Sequence, residues 1–279
     1  MTSGIVRRGE RLPRPMGPWS PAVHEYLRHL EAAGFEGSPR VLGIEDNREV
    51  LTFIDGDVAV DPQWQPGHGN RLPPYARTDL ALRGAADLLR KLHSAATGFQ
   101  PAITSYRFHP HPPLAGEVIS HGDLGPWSTV YRNGIPVGFI DWDSAQPVKP
   151  LADLADAAWT FLPLAPPDQL IEAGFDPLPD LPARLGMFVD AYGLTDRKAI
   201  LPATESSKLA KAANRPVNAV DTLTPLTPPC CAGSRASRWT SPAHCDSRQV
   251  CTLVNDQRRP RTRRASCPRC ARSDGEVGQ

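Results

Sequence analysis

A chain of 279 residues that is 40% hydrophobic and 22% charged can bury one or two modest cores. No run approaches the roughly 18 apolar residues that a membrane span needs, and residues 1–15 lack the apolar stretch of an export signal, so a cytoplasmic protein without a membrane partner is expected. The net charge of +1 hides a division: residues 206–279 hold 13 Lys/Arg against 5 Asp/Glu, whereas residues 1–205 hold 18 against 25.

In chain order, the first helical signal is Ser20-Pro21, read as an N-cap followed by a first-turn proline. Val23, Tyr26, Leu27 and Leu30 then recur at helical spacing until Gly34. Residues 41–44 and 50–54 read as two strands joined by a turn at Asp46-Asn47. Leu80 to Ala95 places Ala81, Ala85, Leu88, Leu89 and Leu92 on one face, which predicts a long buried helix ending at a structural, hydrogen-bonded His93. Residues 129–132 and 135–140 flank Asn133-Gly134, a strong signal for a two-residue hairpin. Leu151 to Leu162 predicts a further helix with Asp153 near its start.

The hairpin sits between two acidic motifs. His121-Gly122-Asp123 precedes it, Ser128 lies five residues after Asp123, and Ile140-Asp141-Trp142-Asp143 follows, with Asp141 18 residues after Asp123. A tight hairpin brings its two ends close, so Asp123, Ser128 and Asp141 can share one small volume. A carboxylate that accepts a hydroxyl proton, beside carboxylates that hold a divalent metal against a triphosphate, is the equipment of phosphoryl transfer.

These motifs resemble the catalytic and metal loops of a kinase. With Gly17 to Pro21, Leu51 to Gly56, Leu89 to His93, and Asp153-Leu154-Ala155, they make residues from about 4 to about 201 similar to the aminoglycoside phosphotransferase and choline kinase-like family. The resemblance implies an α+β, two-lobed protein-kinase-like fold: a reduced N-lobe and hinge over residues 1–56, and a mainly helical C-lobe over 57–203. It implies ATP and Mg2+ as cofactors and a hydroxylated small molecule as acceptor. Asp123 becomes the catalytic base, with His121 beside it as the group that orients the loop. Asp141 becomes the metal ligand, joined by Asp143 and by Ser128 acting through water, and Thr52, Phe53 and Ile54 become the hinge that meets adenine. Asp153 would brace the catalytic loop. Trp142 is expected in the core, and Trp127 beside an acceptor pocket.

Two kinase parts are altered. Only Gly4 and Gly9 precede Gly17, so no glycine-rich loop is present, and no lysine occurs before Lys91. The phosphate-contacting cation must then be an arginine, with Arg14 the best positional match and Arg8 or Arg11 the alternatives. Its acidic partner on the helix is open between Glu25 and His24. Ser128 stands where the kinase pattern has asparagine. These departures keep a second reading alive, that of a nucleotide-binding, catalytically impaired (pseudokinase-like) protein.

Residues 204–279 read as a separate, disordered basic tail. All six cysteines lie there among Pro, Ser and Arg. Cys267-Pro-Arg-Cys270 is a single CxxC pair without a matching second pair, which argues against a zinc site. The arginine run 258–264 is expected to be solvated rather than to bind nucleic acid.

Overall fold

The computed structural model describes residues 7–61 and 71–213, with side chains through Ser206. The expected disordered tail, its cysteines and its arginine run lie outside the described residues, apart from the first ten positions after 203. Those ten belong to a helix that begins at Ile200 and crosses the expected boundary.

The chain opens with an antiparallel sheet. β1 (Arg11–Pro15), β2 (Val41–Glu45) and β3 (Arg48–Thr52) are ordered β1-β3-β2. Sequence reading missed β1 because Pro13 and Pro15 cannot donate to a ladder; an edge strand tolerates them. β2 and β3 are joined at Asp46 and Asn47, both with positive φ (48° and 59°), as a two-residue hairpin turn requires. The second strand starts and ends two residues earlier than expected, so Phe53 and Ile54 lie just beyond it.

α1 (Ser20–Ala32) buries Ala22, Val23, Tyr26, Leu27 and Leu30. It closes at Gly34, whose N–H and that of Phe35 bond back to the carbonyls of Glu31 and Leu30 at 3.0 and 2.9 Å. The expected cap is corrected here. Trp19 holds the N-cap position, and the Ser20 hydroxyl instead accepts from the Gly17 N–H at 3.0 Å, fixing the turn that enters the helix.

The rest is mainly helical. α2 (Asp79–Ala96) starts at Thr78, whose hydroxyl accepts the Ala81 N–H at 3.0 Å, and it buries the face expected of it. Three short strands are β4 (Asp57–Val58), β5 (Val118–Ser120) and β8 (Gln146–Val148). The expected hairpin is β6 (Thr129–Arg132) and β7 (Ile135–Phe139), turning at Asn133 and Gly134 with φ of 52° and 76°. It forms a sheet with β4, while β5 pairs with β8. α3 (Pro150–Phe161) matches the expected helix; α4 (Pro167–Glu172), α5 (Leu181–Tyr192) and α6 (Ile200–Ala213) were not anticipated. α5 packs on α2 and α6 on α3.

One core runs through α1, α2, α3 and the two loops between β5 and β8, with Tyr26, Leu89, Leu92, Ile119, Phe139, Trp142 and Phe188 fully buried. Truncating one of its large side chains, such as Trp142 to alanine, removes about 3–5 kcal/mol of stability. That core is the platform on which the two acidic loops stand.

Candidate active site

β5 delivers His121, Gly122 and Asp123 at its C-terminal end. Gly122 has φ +80°, and a Cβ built there would lie 1.9 Å from the Ser144 carbonyl oxygen, so only glycine lets the two loops cross. His121 is completely buried between the rings of Trp142 and Phe139, at 4.7 and 6.0 Å. Its Nε2–H donates to the Ile140 carbonyl at 2.8 Å, and its Nδ1 accepts the Asp123 N–H at 3.3 Å. Burial holds its pKa below the ordinary histidine value, against the raising pull of the Ile140 carbonyl and the charges of Asp123, Asp141 and Asp153. His121 is thus a neutral clamp between the two acidic loops, with both ring nitrogens in use.

A second brace lies beneath. Asp153 is buried and accepts from the Ser120 hydroxyl at 2.5 Å and from His93 Nε2 at 2.9 Å, while the Tyr192 hydroxyl meets His93 Nδ1 at 2.7 Å. α2, α3 and α5 are thereby tied to the residue that precedes His121. The structural parts expected of His93 and Asp153 are both present.

Asp123 is partly exposed. Among the described residues no hydrogen bond or ion pair engages its carboxylate, while its backbone N–H and carbonyl are both fixed. Ser128 does the second job: its hydroxyl, on a residue 2% exposed, donates to the Asp123 carbonyl at 2.7 Å and accepts the Gly125 N–H at 3.2 Å. The one proton of the Ser128 hydroxyl and one of its two lone pairs are thereby spent inside the loop.

The other acidic loop follows β7. The Ile140 N–H bonds to the Ser128 carbonyl at 2.9 Å, so the hairpin ends close on each other as expected. Asp141 adopts a left-handed conformation, φ 67° and ψ 56°, which turns the chain sharply and leaves its carboxylate 48% exposed. Asp143 stands two residues further on, less exposed, and Trp142 between them is buried in the core with Nε1–H on the Phe139 carbonyl at 2.8 Å.

Arg14 reaches both carboxylates from β1. Its Nη1 lies 3.3 Å from Asp141 Oδ1, its Nη2 contacts Asp143 Oδ1, and its Nε contacts Glu49. Glu49 is the direct cross-strand partner of Arg14 in the β1–β3 register and is 1% exposed. The second oxygen of Glu49 meets His24 Nε2 from α1. Burial opposes the charge of Glu49, yet the His24 hydrogen bond and the Arg14 charge together hold its pKa below the ordinary carboxylate value. The acidic partner of Arg14 therefore comes from the sheet. Glu25, one expected candidate, instead caps the Ala102 and Ile103 N–H groups at 2.8 Å each, and His24 touches Glu49 rather than Arg14. Sequence reading missed Glu49; the signal available was its place just after the Asp46-Asn47 turn, opposite a strand hidden by two prolines.

Of these groups, Arg14 and Asp141 line a cleft of about 500 Å³. Its walls also include Leu12, Leu51, Trp127 and Ile140, together with Thr52, Phe53 and Ile54. Trp127 thus faces this cleft. The N–H groups of Thr52 and Phe53 are committed to the Arg40 and Glu10 carbonyls at 2.9 and 2.8 Å. Among the described residues no cluster of three or more His, Cys, Asp or Glu forms a closed metal cage. Two carboxylates converging on one cation nonetheless fit magnesium, which is commonly held by one or two carboxylates together with substrate phosphates.

Residues 105–188, which contain both acidic loops, match the model of a family described as phosphotransferase enzymes. The chain is 34% identical over 200 residues to the trifolitoxin immunity protein of Rhizobium leguminosarum bv. trifolii, covering 70% of this chain and 72% of that protein. This chain belongs to the phosphotransferase enzyme family. Among solved structures, the family member is similar to macrolide 2'-phosphotransferase MphH of Brachybacterium faecium at 13% identity and a TM-score of 0.44, over 80% of this chain and 89% of that one. It is also similar to aminoglycoside phosphotransferase APH(3'')-Id of Streptomyces rimosus, solved with ADP and streptomycin, at 17% identity and a TM-score of 0.41, over 70% and 87%. A choline/ethanolamine kinase family protein of Mesorhizobium loti matches at 16% identity and a TM-score of 0.38, over 75% and 85%. Within the phosphotransferase itself, a small antiparallel sheet with one helix precedes a mainly helical region carrying the two acidic loops, which is the α+β, kinase-like arrangement expected. Among the described residues no helix is long and apolar enough to cross a membrane.

Proposed function

We propose that this phosphotransferase moves the γ-phosphoryl group of ATP to a hydroxyl of a small molecule, with Asp123 as the base. The observation that carries the reading is a division of labour between two loops that the Ile140 N–H and Ser128 carbonyl hold together: on one, Asp123, whose carboxylate has no hydrogen bond or ion pair among the described residues; on the other, Asp141 and Asp143, gathered on Arg14. The ATP base would enter the cleft beside Thr52, Phe53 and Ile54 without drawing on the Thr52 and Phe53 N–H groups, which are already committed. Arg14 would hold phosphate oxygens, which its planar head can grip with two N–H groups. Asp141 and Asp143 would hold magnesium, whose contribution is to neutralise phosphate charge.

In the transfer, Asp123 orients the acceptor hydroxyl and takes its proton as the new O–P bond forms and the bond from the γ-phosphorus to the bridging oxygen breaks. Ser128 and His121 keep the Asp123 backbone fixed while this happens. The relative named for trifolitoxin immunity suggests an antimicrobial compound as acceptor. The test is ATP consumption across a panel of hydroxylated compounds (antibiotics, amino-alcohols and sugars), run beside the Asp123→Asn variant. Consumption with one acceptor that disappears in the variant supports the reading; equal consumption by both proteins refutes the base.

One observation favours a second reading, a nucleotide-binding protein without turnover. An amide at position 128 could donate to the Asp123 carbonyl and still offer an oxygen to metal, whereas the buried serine hydroxyl offers only the first. Magnesium-dependent stabilisation by ATP, with no transfer to any acceptor, would support it.

A further inference from the structure

Arg14 serves two sets of acids with one guanidinium. Its inner nitrogen, Nε, faces Glu49, and its outer nitrogens face Asp141 and Asp143. The inner contact is set by strand register, Arg14 opposite Glu49, and His24 secures the second oxygen of Glu49 from α1. This half of the side chain is held wherever the sheet is formed. Arg14 is 5% exposed and lines the cleft, so its outer half stays at this site and can turn only toward what occupies the cleft. It rests where the two carboxylates converge, which is the place a divalent cation would take.

We propose that Arg14 is the resident cation of this site: without ligand it neutralises Asp141 and Asp143, and it leaves them only when phosphate oxygens arrive to accept its outer N–H groups. The inference rests on the phosphotransferase reading of the cleft. Metal alone must compete with a tethered guanidinium for both carboxylates. Metal that arrives with a nucleotide faces no such competition, because the phosphates give Arg14 another partner. Metal and nucleotide therefore bind with positive coupling, and Arg14 carries it. A lysine would couple them less, since a compact ammonium on a flexible stem cannot present the same fork to two carboxylates and a third acid at once.

The test uses the full chain and Mn2+ as the metal probe, with its binding followed directly by the loss of the free-ion resonance signal. Wild type, Arg14→Gln and Arg14→Lys are each titrated with Mn2+ alone and then with a non-hydrolysable ATP analogue present. Without nucleotide, Arg14→Gln is expected to bind Mn2+ about tenfold more tightly than wild type, and Arg14→Lys to fall between them. The analogue should tighten Mn2+ binding strongly in wild type and much less in Arg14→Gln. Arg14→Lys keeps a cation beside Glu49, so it carries the comparison if the glutamine variant fails to fold. Equal Mn2+ affinities for wild type and the variants, with the analogue still bound by wild type, would overturn the inference and leave the phosphotransferase reading standing. Absence of metal-dependent analogue binding in wild type would overturn both.

Discussion

The loop that carries Asp123, which lines the cleft through Trp127, and the sheet that carries Arg14, which lines it directly, are built on opposite principles. The loop is fixed by hydrogen bonds to a neutral His121 and to the Ser128 hydroxyl, and among the described residues no hydrogen bond or ion pair engages its Asp123 carboxylate. At the sheet, Arg14, Glu49, Asp141 and Asp143 are all ionic, and each is defined by its neighbours. Hydrogen bonds of fixed geometry hold a reacting group still whatever else is bound. Ion pairs can be exchanged for other ions, so the sheet end is the part of the cleft that can respond to metal and phosphate.

The largest effect that would test this contrast is catalytic. Asp123→Asn should lower phosphoryl transfer by about 10²–10⁴-fold while nucleotide affinity stays the same, because the carboxylate takes no part in holding the loop or the ligand. Steady-state turnover and calorimetric ATP binding measure the two halves; a joint loss of both would mean that Asp123 belongs to the ligand-holding end.

Next comes the brace beneath the loop. Asp153→Ala leaves Ser120 and His93 buried without their acceptor and should remove about 3–5 kcal/mol of stability in urea unfolding. A loss below about 1 kcal/mol, the size of a surface pair, would show that the loop does not depend on it.

A smaller effect distinguishes the two regions by pH. Burial keeps the His121 imidazole neutral in the folded protein, while the unfolded chain takes up its proton near pH 6.5. Stability is therefore full above about pH 6.5 and falls as the pH drops toward the lower folded value, by at most about 1.4 kcal/mol per pH unit. The slope of urea stability between about pH 6.5 and pH 5 should flatten in His121→Asn, and an unchanged slope would place the titration elsewhere.

The smallest expected change sits where the regions meet. Ser128→Asn should keep the bond to the Asp123 carbonyl and add an oxygen toward metal, raising magnesium-dependent nucleotide affinity a few-fold. A magnesium titration identical to wild type would mean that position 128 serves the loop alone.

The same contrast explains what could be read from the sequence. Asp123, Ser128, the Asn133-Gly134 turn and Asp141 lie within nineteen consecutive residues, so turn chemistry alone fixed their proximity. α2 was legible from its apolar face, and α1 likewise, although its first turn was not, because Ser20 turned back to Gly17. Arg14 meets Glu49 across 35 positions and Asp141 across 127, and no local pattern encodes such pairs. β1 escaped notice because its alternation is carried by prolines, and with it went the identity of the acid that holds Arg14. The short strands β5 and β8 were hidden for a related reason: three residues are too few to show a period.

The magnesium dependence of ATP binding at the two carboxylates after β7 tests the reading of this cleft most directly. Calorimetric titration of ATP into wild type and into an Asp141→Asn/Asp143→Asn double variant, with and without magnesium, isolates their role. Wild type should bind ATP more tightly with magnesium, and the double variant should lose that gain. The same magnesium-dependent gain in both proteins would contradict the placement of the metal, and with it the reading of the cleft.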